Sequence, residues 1–123
     1  MRFAYSRDAL AWSLAPGGCV YTKERYSACP ALRYLDGYYY MVYLESYPGY
    51  YATNIVRSKD LAAWEESPFK PIMKHSDEDK RIANPRLSPE LRKRIAEARN
   101  INNSDMDFCE FQGKTVSLYS WGN

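Results

Sequence analysis

The sequence predicts an all-β chain assembled from repeats of one four-stranded antiparallel unit, with a single α-helix inserted between units. Two Gly turns, Asp36-Gly37 and Gln112-Gly113, each separate a pair of strand-like runs; Gly supplies the positive φ that a tight hairpin requires. The corner Ser6-Arg7-Asp8-Ala9-Leu10-Ala11-Trp12 recurs as Ser58-Lys59-Asp60-Leu61-Ala62-Ala63-Trp64, 52 positions later (Ser6 to Ser58). Of the 12 tyrosines, eight fall between Tyr34 and Tyr51, and tyrosine suits pleated, partly buried surfaces.

Taken in order, Phe3-Ala4-Tyr5 reads as the end of a strand, Ser6-Arg7-Asp8 as a corner, and residues 9–14 as a return strand carrying Trp12. Pro16-Gly17-Gly18 breaks the chain before a polar loop. The first full strand is expected over 28–35, with Pro30 near its start, where a missing N–H is tolerated. Tyr38 to Leu44 is the second strand. Tyr38, Tyr40, Val42 and Leu44 fall on one face and Tyr39, Met41 and Tyr43 on the other, so both faces are expected to be covered. A turn at 46–49, a third strand over 51–57 and a short fourth over 63–66 complete the unit. The polar stretch 73–85, with His75 read as exposed, is expected to be an excursion loop. Ser88-Pro89-Glu90 announces a helix, with Ser as N-cap, Pro at the first helical position and an acid at the positive end of the dipole. Leu91, Ile95 and Ala98 form its one apolar stripe, and it should end near Arg99. Strands over 104–111 and 114–120 follow.

The second hairpin matches the first at a spacing of 76 positions (Leu35 to Phe111), larger because the loop and helix lie between the units. Four short strands in each ~40–50 residues are the signature of a β-propeller blade. The chain therefore divides into the end of one blade (1–20), one complete blade (27–72), an insertion (73–103) and the start of the next blade (104–123). In the repeated corner, Ser and Asp side chains can bond nearby backbone N–H groups and fix the turn. The motif reads as a device that builds the blade rather than one that performs chemistry.

Composition narrows the function classes. Seventeen basic and 15 acidic residues leave a net charge of +2. Its densest basic cluster, Arg92-Lys93-Arg94 with Arg99, is interleaved with Glu90 and Glu97, a solvated helix face rather than a nucleic-acid surface. No apolar run approaches the ~20 residues of a membrane span, and Met1-Arg2-Phe3-Ala4-Tyr5 leads directly into turn-like sequence, without a signal-peptide pattern. Cys19, Cys29 and Cys109 have no metal-ligand spacing and His75 is the sole histidine, so no metal site and no cofactor are expected.

The central unit resembles the five-bladed β-propeller glycoside hydrolases of the arabinanase, xylosidase and invertase type (family 43-like). The likeness lies in Ser58-Lys59-Asp60-Leu61-x-x-Trp64, in the hairpin through Asp36-Gly37 into Tyr38-Tyr39-Tyr40, and in Cys29-Pro30 at the start of an inner strand. It implies a partial five-bladed propeller: one complete four-stranded blade, parts of two neighbours and one inserted α-helix. It also implies a glycan or oligosaccharide bound in a central channel and cleaved by carboxylates on inner strands. The family's general acid is often a Glu just before a small residue and Pro. Ala28 holds that place here and cannot donate a proton. The alternatives are a non-catalytic carbohydrate-binding propeller, or a fragment that associates with further copies through uncovered blade faces, as a homo-oligomer.

Within that reading, Asp105 and Asp107 are the catalytic candidates. The strand period of two places them on one face, and paired like charges would push one pKa upward. Arg33, among apolar neighbours, is expected either to clamp a sugar group or to pair with an acid of the adjacent blade. Glu24 is the nearest alternative acid, Asn103 opens the Asp105 strand, and Tyr26 and Trp121 are stacking candidates at strand ends. Glu110 is expected to pair with a base.

Overall fold

A computed structural model describes residues 1–122, a mostly β chain with one α-helix and antiparallel sheets that do not close on themselves. Nine strands are present among the described residues: β1 (Ala4–Tyr5), β2 (Ser13–Leu14), β3 (Ser27–Leu35), β4 (Tyr38–Tyr47), β5 (Tyr50–Ser58), β6 (Trp64–Glu66), β7 (Met73–Lys74), β8 (Asn103–Phe111) and β9 (Lys114–Trp121). A 3₁₀ turn spans Asp77–Lys80, and α1 spans Pro89–Glu97. The central sheet runs β3-β4-β5-β6, with β7 also on β5; β1-β2 and β8-β9 are separate two-stranded sheets.

The repeat is reproduced to the level of register. Ala4↔Leu14 and Tyr5↔Ser13 in β1-β2 are the pairings Val56↔Glu66 and Arg57↔Glu65 of β5-β6, carried 52 positions back. The corners match bond for bond. Asp8 Oδ1 accepts from the Leu10 and Ala11 N–H groups at 2.9 Å, and Asp60 Oδ1 from Ala62 and Ala63 at 2.9 and 2.8 Å. Trp12 Nε1 donates to the Ala9 carbonyl at 3.2 Å and Trp64 Nε1 to that of Leu61 at 3.0 Å. Ala9 and Leu61 both take positive φ, 62° and 63°. Likewise β8-β9 repeats β3-β4. Asp36-Gly37 (48°, 82°) and Gln112-Gly113 (51°, 71°) have both central residues at positive φ, as a two-residue hairpin turn matched to strand twist demands. Each first strand also carries a bulge, between Ala28 and Ala31 and between Ser104 and Asp107. The bulges hold Cys29 (50°) and Asp105 (55°) at positive φ in equivalent places.

Strand β4 is covered on both faces, as its composition predicts: every residue from Met41 to Glu45 is buried. Met41 and Tyr43 pack with Tyr21, Val56, Trp64, Phe3, Met1 and Leu32, which belong to the β1-β2 side and the sheet itself. Val42 and Ile55 face the other way, toward Met106, Phe108, Thr115 and Ser117 of β8-β9. The central unit is thus sandwiched between two neighbours, which explains why neither face of the tyrosine strand is polar.

Two local expectations change. The second strand extends to Tyr47, because Pro48-Gly49 rather than Ser46 makes the turn, with Gly49 at φ 82°. The excursion begins with β7, which pairs Met73 with Thr53 and Lys74 with Ala52. It satisfies the edge of β5 that the short β6 leaves open. Helix α1 is capped as predicted, with Ser88 Oγ accepting from the Leu91 N–H at 3.3 Å, but it buries none of its residues. Its apolar stripe is too short to anchor it in the core.

Four aspartates titrate below their ordinary value. Asp8 and Asp60 are lowered first by the backbone N–H groups of Ala11 and Ala63. For Asp79, burial pushes upward, but hydrogen bonds from the Ser76 N–H, Asn100, Tyr119 and Asn103 outweigh it. Asp105 is lowered by Cys29, then by Ser120 and Ser104. Such groups bind protons less tightly folded than unfolded, so their stabilisation is present above the unfolded value near 3.8 and is lost as pH falls through the folded values. Urea midpoints measured against pH should show no contribution to slope from these groups at neutral pH and a decline below ~4. Replacing Asp8 and Asp60 by Asn should flatten that decline; an unchanged acid limb would show that the corners do not carry it.

Candidate functional site

Antiparallel pairing brings the start of β3, the end of β4, the start of β5, the start of β8 and the end of β9 to one end of the sheets. Most of the polar and aromatic groups singled out in the sequence lie there. Asp105 occupies the β8 bulge, where its Oδ2 accepts from Ser104 Oγ and Ser120 Oγ, both at 3.0 Å, and it faces the Cys29 thiol. Burial and the Asp105 carboxylate together push that thiol's pKa up. The bulge residues of β3 and β8 therefore lie next to each other.

The expectation of a like-charge aspartate pair is overturned. The bulge inserts an extra residue between Ser104 and Asp107, breaking the strict period of two that would put both carboxylates on one face. Asp107 forms an ion pair with Arg33 Nη2 and accepts from the Phe108 N–H at 2.8 Å. Asp105 has hydroxyl and thiol partners, and its pKa is lowered rather than raised. Arg33 also donates through Nε to the Phe108 carbonyl at 3.1 Å. Of the two roles expected for it, the ion pair with an acid of the neighbouring unit is the one present, and it ties β3 to β8.

The remaining sequence candidates have separate partners. Asn103 is buried; its carbonyl accepts from Thr53 Oγ1 at 2.9 Å, and its amide is oriented to donate to Asp79 at 3.1 Å and to the Asn102 carbonyl at 2.8 Å. These bonds dock β8 onto β5 and the 3₁₀ turn. Trp121, opposite Asn103, is partly covered. Tyr26 is exposed just before β3, its carbonyl accepting from the Ser46 N–H at 2.9 Å. Glu24 is exposed on the rim of a neighbouring cleft. Glu110 makes no ion pair among the described residues. His75, read as exposed, is half-covered and edge-on to Tyr50, with ring centroids 5.8 Å apart.

That neighbouring cleft is the feature the sequence reading missed. Thr22, Lys23, Glu24, Arg25, Glu45, Tyr47 and Lys70 line it. Glu45 lies directly opposite Ser27 and is only 4% exposed. Its Oε2 accepts from Asn54 Nδ2 at 2.8 Å and Tyr43 Oη at 3.3 Å, and Tyr43 in turn accepts from Tyr21 Oη at 2.7 Å. Lys23 and Lys70 both pair with Glu66, and burial with the neighbouring Lys70 charge holds the Lys23 pKa down. Arg25 lies over the Tyr47 ring at 4.8 Å, and Tyr47 stacks on Tyr50 with centroids 5.2 Å apart. The signal was the alternation Tyr39, Met41, Tyr43, Glu45, which puts the carboxylate on the face turned to the β1-β2 side.

No family model, curated protein or solved structure matches the chain in comparisons with known proteins.

Proposed function

We propose that this chain is a portion of a five-bladed β-propeller of the glycoside hydrolase type, and that its inner-strand starts line a channel that takes a glycan. The observation that carries the proposal is the meeting of Cys29 and Asp105 at equivalent bulges of successive units. Repeated around a ring, that position gathers one side chain per unit on the axis, where a sugar can be held from several sides. Asp105 is kept ionised by its donors, which suits a general base or a carboxylate that stabilises an oxocarbenium-like transition state. It does not suit an acid. With Ala28 at the resemblance's acid position, the proton donor must come from another unit. Stacked Tyr47 and Tyr50, beside Arg25, offer planar and charged contacts for sugar rings at the same end.

Ala28 favours a second reading, a propeller that binds carbohydrate without cleaving it. The two separate in one experiment on the longest reading frame that encodes this chain, with glycan-array binding and aryl-glycoside turnover measured for wild type and Asp105→Asn. The hydrolase reading expects turnover to fall at least about a hundredfold in the variant while glycan binding persists. Binding with no turnover in the wild type supports the lectin reading. Neither binding nor turnover would sink both.

A further inference from the structure

The cleft beside Glu45 is lined from Thr22 to Lys70, by the central unit and the loop that enters it. Its volume of about 540 Å³ falls within the ~300–1,000 Å³ of small-ligand sites. Three cations and two carboxylates face it: Lys23, Arg25 and Lys70 with Glu24 and Glu45. The cations are incompletely neutralised. Lys23 and Lys70 share one acid, Glu66, and Arg25 makes no ion pair among the described residues. Arg25 instead lies over the Tyr47 ring at 4.8 Å. A guanidinium held against a ring face keeps its N–H fork free for a carboxylate. Tyr47 is itself fixed, stacked on Tyr50 and accepting at its hydroxyl from Asn54 Nδ2 at 3.1 Å. Glu45 is equally fixed: Asn54 and Tyr43 hold its Oε2, while its Oε1 has no donor among the described residues.

We propose that this cleft binds the carboxylate-bearing residue of an acidic glycan, a uronate. The sugar carboxylate sits on Arg25 and the Lys23 and Lys70 ammonium groups, and its ring hydroxyls donate to Glu45 and Glu24. The inference rests on the glycan reading above and names the class of sugar. Both signs of charge in one cleft select against simpler ligands. A neutral sugar leaves Arg25 without a counter-ion. A phosphate brings a second negative charge toward Glu24 and Glu45. A uronate brings one negative charge and several O–H donors, which match the free fork and the free carboxylate oxygen.

The test is titration of the isotope-labelled chain, followed by its amide shifts, with glucuronate and galacturonate. Glucose, galactose and acetate at matched ionic strength are the comparisons. Both uronates should bind at least about tenfold more tightly than acetate or their neutral counterparts, moving the amides of Arg25, Glu45 and Tyr47. Arg25→Gln and Lys70→Gln, both at exposed positions, should each abolish that preference with circular dichroism unchanged. Equal binding of uronate and neutral sugar overturns the inference. So does acetate that binds as tightly as the uronates, which would mark an anion spot alone. A preference that survives both substitutions, or no sugar binding at all, overturns it too. The glycan reading fails separately: neutral glycans bound on the array with no uronate preference keep that reading and sink this one.

Discussion

Replacing Tyr43 by alanine is expected to cost the fold about 3–5 kcal/mol, the range for deleting a buried aromatic side chain. Tyr43 is 1% exposed and sits at the middle of the tyrosine strand. Its ring meets Tyr21 edge-on at 5.1 Å, and burial keeps its hydroxyl protonated by raising its pKa. That hydroxyl joins Tyr21 to Glu45 by accepting from one and donating to the other. Alanine would open a cavity and leave the Tyr21 hydroxyl without its acceptor beside a buried carboxylate. Tyr43→Phe keeps the packing and removes only the link, so a loss nearer 1–2 kcal/mol is expected. Urea unfolding at constant slope checks both. A Tyr43→Ala loss below about 1 kcal/mol would show that the packing between the β1-β2 side and the central sheet is not a main source of stability. For a domain whose whole stability is about 5–15 kcal/mol, the alanine variant should be close to its threshold at physiological temperature.

Trp64 and Trp12 test the repeat with an internal control. Both close the same Ser-x-Asp corner with the same indole-to-carbonyl bond. Trp64 also stacks on Phe3 and meets Tyr21 edge-on at 5.4 Å, while Trp12 is 62% exposed. Trp64→Ala is expected to cost about 3 kcal/mol, and Trp12→Ala less than about 0.5 kcal/mol. Both are measured by urea unfolding. Equal losses would mean that the corner bond, and not inter-unit packing, determines the contribution of this tryptophan. The contrast matters because it separates what the motif does locally from what its neighbours add.

Features that depend on a few adjacent residues were legible. Ser-x-Asp builds its corner from its own side chains and the next backbone N–H groups. Asp36-Gly37 and Gln112-Gly113 turn the chain through local φ preferences, and Ser88-Pro89 starts α1. From these and the spacing of the corners, the mostly β character, the one helix and the strand order within the unit followed. The double-sided coverage of β4 was legible too, because an aromatic strand with two apolar faces has no stable place against water.

The candidate site was less legible, for reasons visible in single residues. Period-two counting placed Asp105 beside Asp107, and one bulge residue at positive φ undid it. Arg33 could be seen to need a partner, but the partner is 74 positions away and depends on how β8 packs across β3. Glu45 lies just beyond the strand predicted over Tyr38 to Leu44 and was not singled out. It is buried where Asn54 and Tyr43 donate to it and Tyr21, from a distant part of the chain, donates to Tyr43.

The sequence alone thus determined the turns, the corners, the helix cap and the repeat, since each is set by torsional preference and hydrogen bonds over a few residues. Only the tertiary structure decided which carboxylates share a site and which basic groups answer them. Those depend on long-range packing between units, where a shift of one residue reverses the face a side chain occupies.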